Sequence, residues 1–169
     1  MSAPDFELLP YPSSLELREM TEAEKFIVQS LRKWLFGHWD ETHHVWRCMM
    51  RECRISFGDE DGSKIVISIS KIVSTLVKHA NRKIRFHQPC CPCLDTDEYC
   101  LVRFITACQH NNGALAQALA SWLLVDDGID DFLTAGLRLG NKMKKHALQL
   151  PELTFDQTLA DSTKSFSLH

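Results

Sequence analysis

The chain has 169 residues, 44% apolar and 24% charged, with a formal net charge of −3. A chain of that length can bury a core without staples, and its composition excludes wholesale disorder. The acidic balance argues against wrapping nucleic acid, and the apolar runs fall far short of the ~20 residues that span a bilayer.

Residues 1–20 hold Pro4, Pro10 and Pro12 among acids and serines, which predicts a flexible, poorly packed lead-in. The same stretch lacks the basic and apolar halves of a secretory leader. The chain is therefore expected in the cytoplasm, with its seven cysteines free, metal-bound or transiently oxidised.

The helical domain is expected over 21–148. Thr21 and Glu24 form a capping box, and Phe26, Ile27, Ser30, Leu31, Trp34 and Leu35 follow at helical spacing until Gly37. A second helix is predicted over 41–57, with Trp46, Met49, Met50, Cys53 and Phe57 on its core face. Gly58 and the acids to Gly62 read as a turn. The segment 63–80 carries Ile65, Val66, Ile69, Ile72, Val73, Leu76, Val77 and Ala80 at a sustained helical period. The alternation Ile67-Ser68-Ile69-Ser70 favours strand locally, but length and period favour helix.

From Asn81 to Pro92 the helical pattern stops, and Ile84 and Phe86 alternate with cations in a short extended stretch. Asp95 and Glu98 then form a second capping box, opening a helix with Leu101, Phe104, Ile105 and Cys108 inward, stopped at Asn111-Asn112-Gly113. Two more helices are predicted. One spans 114–125 with Leu115, Leu119, Trp122 and Leu123 inward, and one spans 129–148 with Phe132, Leu133, Leu137 and Met143 inward. Asp126-Asp127-Gly128 reads as their joint, and 149–169 as a flexible tail. The fold expected is all-α, a single-domain bundle of about six helices, with an extended cysteine-bearing connection in the middle.

That connection holds the chemically distinctive feature, His87-Gln88-Pro89-Cys90-Cys91-Pro92-Cys93. Cys90 and Cys93 have the spacing that turns two thiolates toward one tetrahedral ion, and His87 repeats it toward Cys90. Cys91 could join them, and the two prolines lower the entropy lost on chelation. A second knuckle is missing. His44 and Cys48, four apart on the outer face of the second helix, are the further ligand candidates. Asp95, Asp97 and Glu98 beside the cluster suit a cation better than an activated thiolate. Cys53, Cys100 and Cys108 read as small buried hydrophobes.

The segment Pro89-Cys90-Cys91-Pro92-Cys93-Leu94 followed by Asp97-Glu98 resembles a family of small alphaproteobacterial proteins described only as a domain of unknown function. The resemblance extends over about 21–144. It implies the domain limits and marks the cluster, and it implies no substrate. The functional expectation is a non-catalytic intracellular helical module holding Zn²⁺ through His87, Cys90, Cys91 and Cys93. Two alternatives stand beside it. One is a thiol redox sensor or oxidoreductase using Cys91 or Cys93; the other is a helical protein–protein adaptor or homo-oligomer with packed cysteines. Neither membrane nor nucleic-acid binding is expected.

Overall fold

Among the described residues six α-helices form an all-α bundle, as the periodicity predicts. The computed structural model describes residues 6–8 and 15–152. Helix α1 (Glu22–Phe36) opens with the expected capping box: the Glu24 N–H donates to Thr21 Oγ1 at 3.3 Å, and the Thr21 N–H donates to Glu24 Oε2 at 2.7 Å. Helix α2 (His44–Phe57) starts three residues later than expected. The Asp40 carboxylate gathers the Thr42 N–H, the Thr42 hydroxyl and the Val45 N–H, holding 40–43 as a turn. Those donors, the Thr42 hydroxyl first, lower the Asp40 carboxyl to about 2.

Helix α3 (Asp59–His79) begins directly after Gly58, so the acids expected in a turn are its first turn. Gly58, at φ 85°, donates its N–H to Arg54 O at 2.9 Å and accepts the Gly62 N–H at 2.8 Å. One residue thus closes α2 and opens α3, in a left-handed conformation that glycine adopts without strain. Asp59, Glu60 and Asp61 complement the helix dipole there. The Ile67–Ser70 alternation is helical after all: Ile69 is buried, Ile67 is exposed, and the Ser68 hydroxyl donates back to Lys64 O at 3.0 Å.

Helices α4 (Thr96–Gln109), α5 (Gly113–Leu123) and α6 (Asp126–Lys145) complete the bundle. The Asp126-Asp127-Gly128 joint is likewise a first turn, for the same dipole reason. Helix α3 packs between α2 and α6, and α4 packs against α6, α5 and α1. Helix α4 is the buried element, enclosed at Cys100–Val102 and from Phe104 to Gln109. The α4–α6 contact is close because Gly136 has no Cβ: one built there would lie 2.6 Å from the Phe104 ring. Phe104 in turn stacks on Phe132 at 4.2 Å. Three expected core residues stand outside, Val77, Trp122 and Leu137. On α5 the inward arc is Ala116, Ala120 and Leu123, which leaves Trp122 under the Arg82 guanidinium at 5.6 Å.

Both segments expected to be loose are tied down in part. Strand β1 (Phe6–Leu8) pairs parallel with β3 (Ile84–Phe86), and β2 (Leu15–Glu16) pairs antiparallel with β4 (Cys93–Leu94). The lead-in therefore straps the cysteine-bearing connection on both sides. At the other end Leu150 is buried, its N–H donating to Gln109 Oε1 at 2.7 Å. The expected tail over 153–169 lies outside the described residues.

Candidate functional site

The cysteine turn is built around a guanidinium from a distant helix. Arg32 of α1 is among the largest fully buried side chains. Its Nε and Nη2 donate to the two Glu98 carboxylate oxygens at 2.5 and 2.8 Å, a bidentate pair. The remaining donors go to the turn's own carbonyls: Nη1 to Cys91 O at 2.8 Å and Gln88 O at 3.3 Å, and Nη2 to Cys93 O at 2.5 Å. Glu98 closes the circuit, accepting the His87 N–H at 3.1 Å and, as capping box, the Asp95 N–H at 2.9 Å.

A second pair lies beside it. Asp97 accepts from Arg82 Nη1 at 2.9 Å and Nη2 at 2.7 Å, and from the Arg85 N–H at 2.9 Å. Arg85 Nε also stands 3.7 Å from Asp95. Burial pushes the Asp95 carboxyl up, and the hydrogen bond from the Asp97 N–H together with the Arg85 charge opposes it. Asp95, Asp97 and Glu98 thus each face a guanidinium of the chain itself.

The ligand candidates are distributed unevenly around this clamp. Cys90 is exposed, while Cys91 and Cys93 are buried. His87 is 2% exposed, and neither of its ring nitrogens has a hydrogen-bond partner among the described residues. Its side chain lines a cleft of about 10 Å³ with Leu35, Phe36, Trp39 and Pro89, room for about one water molecule. His44 and Cys48 do meet on α2, with Sγ 3.4 Å from Nε2. Among the described residues, no three His, Cys, Asp or Glu side chains are grouped so as to hold a metal ion. Cys53, Cys100 and Cys108 are buried as expected. Burial pushes their thiols up, to about 11, 11 and 12 respectively.

Two features escape sequence reading. Arg32 stands at the edge of the apolar arc of Val28, Leu31 and Leu35, a weak signal that it faces inward. Asp61 collects Lys142 Nζ at 2.7 Å, Lys145 Nζ at 2.7 Å and His146 Nε2 at 2.8 Å, locking the start of α3 to the end of α6. Those partners, Lys142 first, hold its carboxyl well below the usual carboxylate range.

The outer face of α2 is the opposite case. An open groove of about 420 Å³ is lined by Arg47, Met50, Arg51, Arg54, Ile55 and Asp59. Ile55 is 74% exposed. Arg54 Nε donates to Ser63 Oγ at 3.3 Å, whereas the Arg47 and Arg51 side chains have no hydrogen-bond or ion-pair partner among the described residues. No family model matches the sequence, and no curated protein or solved structure is significantly similar to it. Among the described residues no helix is long and apolar enough to cross a membrane.

Proposed function

We propose that the protein is a non-catalytic helical interaction module of the cytoplasm that docks an acidic protein segment on the outer face of α2. The observation that carries this reading is the groove, where three guanidiniums face the single carboxylate of Asp59 around exposed Ile55 and half-buried Met50. Arginine clusters recognise acidic segments through their fork of donors, and an aliphatic anchor adds apolar area. A protein partner fits better than nucleic acid. The chain's net charge is −3, and no aromatic ring lines the groove for a base to stack on. In this reading the cysteine turn is structural, held by Arg32.

The test is a photoreactive side chain placed at Ile55, with exposed Ser74 of α3 as the control position. A discrete adduct to an Asp/Glu-rich peptide from position 55, lost in Arg47→Glu/Arg51→Glu, is expected. An adduct no stronger than that from position 74, or one indifferent to the charge reversal, overturns the reading.

Zinc binding is the second reading, and His87 favours it, because a buried imidazole with two unpartnered nitrogens is a ligand without a mate. Zn²⁺ held by His87 with Cys90, Cys91 and Cys93 requires the turn to rearrange. Elemental analysis of protein purified without chelator should then give about one equivalent, lost in Cys90→Ser/Cys93→Ser; under about a tenth of an equivalent excludes it. The resemblance to an alphaproteobacterial family carries no activity and favours neither reading.

A further inference from the structure

We propose that Cys48 is the reactive thiol of this protein and a site of reversible mixed-disulfide formation with anionic low-molecular-weight disulfides. The proposal shares Arg47 and Arg51 with the docking reading but does not require it. His44, Cys48, Arg51 and Ile55 stand at i, i+4, i+7 and i+11 of α2, one line along its outer face. His44 is exposed and Cys48 half-buried, and Nε2 lies 3.4 Å from Sγ, within reach of the thiol proton. Arg51 stands one turn beyond Cys48, and Arg47 one turn before Arg51. Both guanidiniums are unpartnered among the described residues, so they are available to an incoming anion. The acid nearest along the helix, Glu52, is turned to Lys33 at 3.1 Å.

The other thiols lack this combination. Cys53, Cys100 and Cys108 are buried with their thiols pushed up; Cys91 and Cys93 are buried in the turn that Arg32 holds. Cys90 is exposed, without a histidine hydrogen-bonded to it among the described residues. It is the internal control, because exposure alone would make it react first. The thiolate is the attacking species.

In the reaction, His44 Nε2 takes the Cys48 proton, and Sγ attacks one sulfur of the incoming disulfide. A new S–S bond forms as the old one breaks. Cys48 is oxidised to the mixed disulfide. The departing half is reduced to a thiolate, which takes the proton back from the imidazolium. A small thiol reverses the exchange.

The experiment maps all seven cysteines of the full chain by mass spectrometry during reaction with two reagents, the dianionic disulfide dithiobis-nitrobenzoate and neutral iodoacetamide. Cys48 should be modified first by both, roughly threefold or more ahead of Cys90. His44→Gln should slow Cys48 several-fold with both reagents and leave Cys90 unchanged. Arg47→Gln/Arg51→Gln should slow only the anionic disulfide, the readout that separates anion recognition from general exposure. These positions are exposed, and an unchanged circular-dichroism melt confirms the fold. Cys90 reacting as fast as Cys48, or a Cys48 rate indifferent to His44→Gln, overturns the proposal.

Discussion

The cysteine turn and the outer face of α2 both set guanidiniums beside thiol sulfur, yet they have opposite fates. In the turn, Arg32 is enclosed and its donors are all occupied, by Glu98 and by the carbonyls of Gln88, Cys91 and Cys93. On α2, Arg47 and Arg51 are exposed and have no described side-chain partner, and Cys48 is in contact with a histidine. Charge and sulfur that are satisfied internally serve the fold; the same groups left unsatisfied at the surface are what a partner or reagent can use. A residue type therefore identifies a site only together with the saturation of its neighbours.

The comparison breaks most visibly at Arg32. Arg32→Ala leaves the enclosed Glu98 carboxyl and three turn carbonyls without their guanidinium, and should cost about 3–5 kcal/mol in chemical denaturation. The double replacement Arg32→Met/Glu98→Leu should recover only part of that: the uncompensated charge is gone, but the carbonyls of Gln88, Cys91 and Cys93 and the N–H groups of His87 and Asp95 lose their partners. A loss below about 1 kcal/mol for Arg32→Ala would remove the clamp from the account.

Next in size are the core thiols. Cys108→Ser places a hydroxyl in an enclosed position and should cost about 1–3 kcal/mol, whereas Cys90→Ser at the exposed tip should be nearly silent. Equal costs at the two positions would contradict the division into core and surface thiols.

Asp61→Asn should lower the melting temperature at neutral pH by a few degrees, roughly the effect of losing one surface network. The sign of the pH dependence follows from the depressed carboxyl. Its stabilisation is present above the ordinary carboxylate pKa near ~4 and is lost as pH falls through the lower folded value. The difference in melting temperature between wild type and Asp61→Asn should therefore narrow on acidification. A difference that widens would assign the network another role.

The smallest expected effect sharpens the other half of the comparison. Arg47→Gln/Arg51→Gln should change stability by no more than about 0.5 kcal/mol, since nothing described rests on those side chains. A larger loss would mean that α2's outer face supports the fold and is not free for a partner.

What sequence alone determined is local. The capping boxes at Thr21–Glu24 and Asp95–Glu98 and the helical period through Ile65–Leu76 all appear in the fold, because each needs only residues within a few turns. The same locality put His44 and Cys48 on one face. It misread the acids at 59–61 and 126–127 as turns, since composition does not distinguish a loop from the first turn of a helix.

Only tertiary structure decided which cation meets the acids after the cysteines. Arg32 lies 66 positions from Glu98, and Lys142 lies 81 from Asp61, separations over which no periodicity or cap constrains a pairing. The packed helices bring both pairs together, and for Arg32 and Glu98 they do so in an enclosed space, where an unpartnered charge is too costly to leave. The acids beside the cysteines were legible in the sequence; the guanidiniums that meet them were not, because the fold brings them from other elements.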